Sequence, residues 1–269
     1  MPPSVSDLPR SIVITGASRG LGAAFARHYA RPGVSLGLLA RSRDDLEAVA
    51  ADCRGRGADA RTEVADVTDR STLTAALTRF DDAAPCDLLI VNAGIERGPE
   101  PGAAAERPED MARVIDVNLT GAALTAAILL PRMQARRTGH VLFVSSVAAL
   151  RGLPDSPAYC ASKAGLRILA ESLRPRVAAD GIGVTVALPG FFESAMADQW
   201  IGDKTGIVPA ETMAARIADA VARGKRRVVV PSGLGWTLRV LDLLPAGLGD
   251  RLIARSRFQI DNNGRNARS

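Results

Sequence analysis

The chain has 269 residues, 47% of them hydrophobic, and a formal net charge of +5, which together fit one large α/β domain. The basic charge does not indicate nucleic-acid binding, because the arginines are scattered and only 4% of the residues are aromatic. Two histidines and three cysteines without metal-ligand spacing argue against a zinc site, and the cysteines fit a reducing, cytoplasmic compartment.

A glycine-rich turn follows the first predicted strand, residues 11–14. The turn spans residues 15–22 with glycines at 16, 20 and 22, and an alanine-rich helical segment, residues 23–30, comes after it. In this context glycines let the backbone approach a pyrophosphate, and the helix N-terminus attracts the anion. The turn lacks the Gly-Lys-Ser/Thr ending of a P-loop, which argues against ATP or GTP. An ordinary strand-to-helix turn is the alternative.

The second predicted strand, residues 34–39, is followed by Arg41. In a nucleotide-binding sheet this position meets the adenosine ribose, where an acidic residue favours the 2′-hydroxyl of NAD. Arg41 stands there instead, and Arg19 lies in the glycine turn; two guanidiniums suit a 2′-phosphate by charge and geometry. The sequence therefore predicts NADP(H) over NAD(H). The alternative is that Arg41 or Arg43 only caps a surface.

Strand-like runs alternate with helix-length segments through the rest of the chain, at residues 60–64, 88–91, 141–144, 183–188 and 228–230. This alternation predicts a Rossmann-type, doubly wound, parallel seven-stranded sheet with helices on both faces. The alanine-rich segment 106–137 is predicted as one helix, bent near Pro131. We expect a single domain over residues 11–232, preceded by a flexible segment, residues 1–10.

Tyr159 and Lys163 lie four residues apart, so that on a helix a phenol and an ammonium share one face. A nearby cation favours the phenolate, and we therefore expect Lys163 to lower the pKa of Tyr159. Such a tyrosine exchanges a proton with an alcohol or ketone oxygen. Ser145 and Ser146 follow a predicted strand, at the edge where α/β sheets bind ligands. The alternatives are a surface tyrosine near a lysine and a pair of capping serines.

Together these segments resemble the short-chain dehydrogenase/reductase family, from about residue 11 to about residue 230. The resemblance implies a catalytic serine, tyrosine and lysine supported by an asparagine, which in this sequence are Ser146, Tyr159, Lys163 and Asn118. It also implies cofactor contacts at Gly16, Ser18, Arg19, Gly20, Leu21, Gly22, Arg41, Asp66, Val67, Asn92, Ala93, Gly94, Tyr159, Lys163, Pro189, Gly190, Phe192 and Ser194. Ser194 stands where the family usually has threonine, and the hydroxyl is retained.

The same resemblance implies hydride transfer between NADP(H) and a carbonyl or secondary alcohol, without a metal. Tyr159 is then the general acid or base, Ser146 stabilises charge on the reacting oxygen, and Lys163 holds the nicotinamide ribose. Asn118 is expected to hold a water that connects Lys163 to solvent. The alternatives are a dehydrogenase for a lipid-like alcohol or a polyol, and a regulator that senses NADP(H) without chemistry. Relatives of this last kind usually lack the tyrosine or the lysine.

Residues 191–208 are predicted to form a substrate lid, with apolar contacts from Phe191, Met196 and Trp200. Residues 233–260 follow as an apolar, basic extension, predicted as two short amphipathic helices broken at Pro245. Three interpretations of its 233–257 stretch remain open: it covers the substrate cleft, lies in a subunit interface, or makes peripheral contact with a membrane. A similar extension in family members that handle steroids or lipids favours a hydrophobic substrate. Residues 261–269 are predicted to be disordered.

The N-terminal residues lack the apolar core of a signal peptide, and no run of about eighteen uncharged apolar residues predicts a membrane span. By resemblance, we expect a homodimer or homotetramer that packs through the 106–137 helix and the Tyr159 helix. The expected partner is a small carbonyl or alcohol substrate, and no nucleic acid is expected.

Overall fold

The computed structural model describes residues 9–100, 102–201, 206–253, 259–260 and 262. The predictions for segments 1–10 and 261–269 therefore lie almost entirely outside the described residues. The strands are β1 (Ser11–Thr15), β2 (Ser35–Ala40), β3 (Asp59–Val64), β4 (Leu88–Val91), β5 (Gly139–Val144), β6 (Ile182–Pro189), β7 (Trp200–Ile201), β8 (Arg227–Val230) and β9 (Gln259–Ile260). The α-helices are α1 (Gly20–Tyr29), α2 (Arg43–Gly55), α3 (Arg70–Ala83), α4 (Pro108–Ile115), α5 (Ala122–Arg136), α6 (Pro157–Val177), α7 (Ala195–Asp198), α8 (Ala210–Ala222), α9 (Ser232–Leu243) and α10 (Ala246–Ile253).

Seven strands form one sheet in the order β3-β2-β1-β4-β5-β6-β8, and every neighbouring pair is parallel. The strand order reverses next to β1, which has β2 on one side and β4 on the other. Ligands bind outside the carboxyl ends of the strands at such a reversal. The predicted Rossmann-type sheet is confirmed, and its topology places the candidate site at the ends of β1, β4 and β5.

The core lies in two layers, one on each face of the sheet. Ile12 and Ile14 of β1 face a layer that includes residues of α1, α2 and α8, whereas Val13 between them faces a layer that includes residues of α3, α5 and α6. Because helices cover both faces, consecutive strand residues are all buried, and β1 is an unbroken apolar run rather than an alternating pattern.

The helix predicted over residues 106–137 runs from Pro108 to Arg136 with one irregularity, a π-helical turn at Asp116–Gly121 between α4 and α5. Pro131 lies inside α5. By length and composition alone this helix could cross a membrane, although the sequence predicted no span. Half of its most apolar window is buried inside the protein, as in many core helices, so this is weak evidence for a membrane span.

The C-terminal extension forms α9 and α10, which are separated at Pro245 as predicted. Leu238 and Ile253 turn inward and join the core. The outer face keeps large apolar side chains in solvent, with Trp236 67% and Leu243 85% exposed. Beyond α10, strand β9 pairs antiparallel with β7, a two-stranded sheet that the sequence did not predict.

Candidate active site

The glycine turn between β1 and α1 is shaped by close backbone packing. Gly16 and Gly20 adopt left-handed conformations with φ of 69° and 54°, which glycine adopts without steric cost. A Cβ on Gly16 would lie 2.8 Å from the Cα of Ala93, and one on Gly22 would lie 2.1 Å from the Gly16 carbonyl oxygen. Only glycine therefore fits at 16 and 22.

Helix α1 begins at the end of this turn, and the side chain of Arg19 makes no capping hydrogen bond to it. The first backbone N–H groups of a helix have no partner within the helix and bind anions. The side-chain Nδ2 of Asn92 donates to the carbonyl oxygens of Thr15 and Gly16, at 3.0 and 3.1 Å. Asn92 thus holds the turn in place from the end of β4.

A cavity of about 600 Å³ runs from the glycine turn across the carboxyl ends of the central strands. It is lined by most of the predicted cofactor residues: Gly16, Ser18, Arg19, Gly20, Leu21, Arg41, Asp66, Val67, Asn92, Ala93, Gly94, Tyr159, Lys163, Pro189, Gly190, Phe192 and Ser194. Gly22 lies behind the turn, packed on its backbone. No described residue of the C-terminal extension lines this cavity.

At one end of the cavity, Asp66 follows β3 and faces Arg41. Its Oδ2 accepts a hydrogen bond from Arg113 at 2.6 Å and lies 3.7 Å from the Nη1 of Arg41. Burial by itself raises the pKa of Asp66, but hydrogen bonds from Thr68 and Arg113 outweigh burial and hold the pKa below its usual value. Asp66 is therefore an anion, and the more distant Arg41, whose side chain is 57% exposed, faces the cavity. Sequence reasoning missed Arg113, which lies far from Asp66 along the chain.

At the other end, Tyr159 and Lys163 lie one turn apart on α6, and both side chains reach the cavity. The Lys163 Nζ lies 5.7 Å from the centre of the Tyr159 ring and donates to the Val144 carbonyl oxygen at 3.1 Å. The Ser146 side chain lies near enough to the Tyr159 hydroxyl to lower the pKa of that phenol in part. Ser145 instead donates to the Lys163 carbonyl oxygen at 2.7 Å, so Ser146 is the serine that meets the phenol.

The expectation that Lys163 lowers the pKa of Tyr159 is wrong for this arrangement. Burial raises the pKa of Tyr159, the Glu96 carboxylate raises it further, and the hydrogen bond with Ser146 lowers it only in part. Burial also lowers the pKa of Lys163 to about 8, against an opposing effect of Glu96. The physical reason is that both side chains lose the water that would stabilise their charged forms.

Asn118 lies in the π-helical turn, fully buried, and does not line the cavity. Its Oδ1 accepts from the Ile95 amide at 2.8 Å, and its Nδ2 donates to the Ile95 carbonyl oxygen and to Ser162 Oγ, at 2.9 and 3.0 Å. Both side-chain amide hydrogens of Asn118 are therefore used. A bound water could only donate to the residue, at its Oδ1 or its main-chain carbonyl oxygen. The side chain joins the segment after β4 to α6.

The three predicted substrate residues separate in the structure. Met196 lines the cavity and packs against the cluster that contains Tyr159. Phe191 and Trp200 do not line the cavity; their rings meet edge to face at 5.3 Å, behind it. The indole Nε1 of Trp200 donates to the buried carboxyl of Glu96 at 2.6 Å. Sequence reasoning missed Glu96, and its only local signal is a charged residue two positions after the Asn-Ala-Gly segment.

The sequence matches the family described as short chain dehydrogenase over residues 10–205. The chain belongs to this family. An uncharacterized oxidoreductase of Myxococcus xanthus is 32% identical over 92% of this chain and 98% of that protein. The 3-dehydrosphinganine reductase TSC10B of Arabidopsis thaliana is 38% identical over 67% of this chain, and the chain spans 54% of that protein.

Solved structures of the family have the same fold. A short-chain dehydrogenase from Sphingobium yanoikuyae in complex with NADPH has a TM-score of 0.74 at 27% identity, with 93% of this chain and 97% of that chain covered. A short chain dehydrogenase/reductase from Burkholderia phymatum in complex with NAD has a TM-score of 0.78 at 24% identity, with 87% and 92% covered. The chain is thus a short-chain dehydrogenase/reductase, an NAD(P)-dependent oxidoreductase of small carbonyl or alcohol substrates.

Proposed function

We propose that this short-chain dehydrogenase interconverts a ketone and a secondary alcohol with NADP(H) as cofactor and Tyr159 as general acid or base. The observation that carries the proposal is one cavity with the glycine turn and Arg41 at one end and Tyr159, Ser146 and Lys163 at the other. A dinucleotide lying along this cavity would place its phosphates at the first end and its reactive ring at the second.

The residues present fit this cofactor. The glycine turn and the start of α1 would hold the pyrophosphate, because Gly16 and Gly20 line the cavity and the first N–H groups of a helix have no partner within it. Lys163 would hold the nicotinamide ribose, and Pro189 and Gly190 would lie beside the ring. When bound, the nicotinamide gives or accepts a hydride at the substrate carbon.

The protein's own residues handle the proton and the charge on the substrate oxygen. Tyr159 donates its hydroxyl proton to that oxygen in reduction and takes a proton back in oxidation. Ser146, which lies near the same phenol, donates to the substrate oxygen and stabilises its negative charge. Because burial keeps the Tyr159 phenol neutral, its proton remains available for donation. The neutral phenol is the form that reduction requires.

NADP(H) is the proposed cofactor rather than NAD(H). Arg19 and Arg41 both line the cavity, and the residue directly after β2 is Arg41 rather than an acidic residue that would repel a 2′-phosphate. Asp45 of α2 also lines this end, where its carboxylate accepts from the Ser42 hydroxyl at 2.7 Å. Asp66 engages Arg113 more closely than Arg41, which leaves the Arg41 guanidinium available to a phosphate. The test is initial rates and dissociation constants with NADPH and NADH across a panel of ketones, with Tyr159→Phe as the inactive control.

We propose a hydrophobic substrate, with a long-chain lipid ketone as the alternative within the same chemistry. Met196 gives the substrate end an apolar wall, and one relative is named a 3-dehydrosphinganine reductase. Rates on ketones of increasing chain length distinguish the two. Polyol oxidation tests the remaining enzymatic alternative, and cofactor binding without turnover of any substrate would instead favour the sensor.

We also propose that the protein is a homodimer or homotetramer in the cytoplasm. Met111 on α4 and Ile168 on α6 are 40% and 50% exposed, as expected of side chains that a second subunit would cover. All three cysteines are free and buried, which fits a reducing compartment. Peripheral membrane contact through α9 and α10 stays a proposal, supported by the exposed Trp236 and Leu243. Light scattering tests the oligomeric state, and sedimentation with lipid vesicles tests the membrane contact.

A further inference from the structure

Glu96 is a buried carboxyl that the proposed chemistry does not use. Its side chain lies directly beyond the cavity-lining residues Gly94 and Ile95 and is only 3% exposed. Among the residues that the structure describes, it forms no ion pair with an arginine or lysine and is satisfied by two neutral donors. Burying a carboxyl costs free energy. A buried carboxyl bonded only to neutral donors therefore calls for a structural or functional explanation.

One oxygen of Glu96 holds the helix that carries Tyr159. Its Oε1 accepts from the Ser156 hydroxyl at 2.8 Å. Ser156 is fully buried and is the N-cap residue of α6, and its carbonyl oxygen accepts from the Cys160 amide at 2.9 Å. Glu96 is therefore bonded to the residue at which the Tyr159 helix begins.

The other oxygen holds the lid segment, which we define as residues 191–201. Its Oε2 accepts from the Trp200 indole at 2.6 Å. In the same segment, Phe192, Ser194, Ala195 and Met196 line the cavity, and Trp200 lies in β7 a few residues further on. The lid segment is thus attached at Trp200 to the side of the site that carries the phenol.

The C-terminal strand completes this attachment. Trp200 pairs with Ile260 across β7 and β9, and a Cβ on Gly98 would lie 2.9 Å from the Cβ of Ile260. Asn262 exchanges two hydrogen bonds with the backbone of Gly98, at 3.1 and 2.8 Å. The segment after β4, the lid segment and the described residues of β9 therefore meet beside Trp200, the partner of Glu96.

We propose that Glu96 is a positioning residue for the substrate: by bonding both Ser156 and Trp200, it fixes the lid segment at a set distance from Tyr159. Removing the carboxyl loosens Met196 over the substrate end and leaves the glycine turn untouched. This role rests on the proposed function only in taking Tyr159 as the reacting group.

The two tryptophans allow a direct measurement of the lid segment. Trp236 is 67% exposed on α9, so Trp236→Phe leaves Trp200 as the sole fluorescent indole. In that background we expect Glu96→Ala to raise acrylamide quenching of Trp200 several-fold and to shift its emission to longer wavelength. Glu96→Gln, whose amide oxygen still accepts from the indole, is expected to restore most of the protection.

The matched control is Glu106→Ala. Glu106 is also buried, and its carboxyl accepts from the Ala158 amide at 3.0 Å, in the first turn of the same helix, without bonding the lid segment. We expect Glu106→Ala to leave the quenching of Trp200 unchanged. An equal increase in both variants would overturn the proposal, because it would show only that α6 had been disturbed.

Kinetics give the second readout. A buried donor left without its acceptor corresponds to about a tenfold effect, and we expect Glu96→Ala to raise the KM for the ketone by about that factor with an unchanged dissociation constant for NADPH. Trp200→Phe, which lacks the indole donor, should have the same effect, and the double variant should be no worse than either single one. Additive effects, or equal losses of ketone and cofactor affinity, would contradict the proposal. Quenching still tests it if no ketone is turned over.

Discussion

The two ends of the cavity are built in different ways. At the cofactor end, the turn from Gly16 to Gly22 is continuous in sequence, and its shape depends on backbone packing. The other end combines the local Tyr159–Lys163 pair with side chains distant in sequence, such as Trp200 and Glu96, which are 104 residues apart. A local motif thus shapes the anion-binding turn, whereas contacts between distant segments surround Tyr159. Substitutions at the two ends are therefore expected to affect cofactor and ketone affinity differently.

The largest expected effect comes from Tyr159→Phe, which removes the hydroxyl proton that is transferred to the substrate oxygen. General acid catalysis is worth about 10²- to 10⁴-fold, so we expect kcat to fall by about 10³-fold. The dissociation constant for NADPH should change little, because the ring and Lys163 remain. Steady-state rates and a cofactor titration monitored by fluorescence measure the two quantities. Turnover at the original rate would remove Tyr159 from the mechanism.

The cofactor end is tested by Arg41→Asp. The substitution replaces a cation at the end of β2 with a carboxylate that would repel a 2′-phosphate and accept from a 2′-hydroxyl. Loss of a charge-assisted contact predicts about a 10- to 100-fold weaker affinity for NADPH and a smaller change for NADH. The ketone KM should be unaffected.

Arg43→Asp is the matched control, since Arg43 begins α2 and does not line the cavity. It changes the net charge by the same amount close to the same place, so a similar loss of NADPH affinity in both variants would point to long-range charge rather than to a phosphate contact.

The difference between the ends also explains what sequence reasoning recovered. The seven sheet strands were predicted within about one or two residues of their positions, because most of them contain a short apolar run that is buried on both faces. The edge strand β3 is polar and largely exposed, and its position followed from the alternation of strands and helices. The glycine turn and the Tyr159–Lys163 spacing are equally local. Glu96 with Ser156 and Arg113 with Asp66 are 60 and 47 residues apart, and no periodicity links such pairs. The pKa of Tyr159 was predicted in the wrong direction because burial is a tertiary property.

A smaller effect is expected from Met196→Ala at the substrate end. The substitution removes an apolar wall that packs against the Tyr159 cluster, without touching a hydrogen bond. Each buried methylene is worth about 0.8 kcal/mol, so we expect the KM for a hydrophobic ketone to rise by about tenfold and that for a short polar ketone by less. Affinity for NADPH should stay constant. A uniform rise across ketones would show that Met196 acts on the fold rather than on the substrate.

The smallest effect is a pH dependence of stability that arises from Glu96. Burial raises the pKa of Glu96 to about 7, above its ordinary value of 4.5. The folded protein therefore keeps a proton that the unfolded chain releases, and the stability from the neutral carboxyl is complete below pH 4.5 and is lost as pH rises through about 7. Glu96→Gln cannot titrate. We expect the unfolding free energy of the native protein to fall relative to that of the variant by about 1 to 3 kcal/mol between pH 5 and pH 8.

Other groups also titrate in this range. The quantity to follow is therefore the difference in unfolding free energy between the native protein and Glu96→Gln, measured by urea unfolding at each pH. The ionisable groups that interact with Glu96 are Tyr159, Cys160, Lys163 and Glu106. The pKa of buried His140 is lowered to about 4, which makes the fold more stable as pH rises from 4 to 6.5 and so opposes Glu96. Lys163, with a pKa of about 8, makes the unfolding free energy depend on pH only above that value. All of these remain in Glu96→Gln, so a difference that stays constant with pH would show that the Glu96 carboxyl does not titrate in this range.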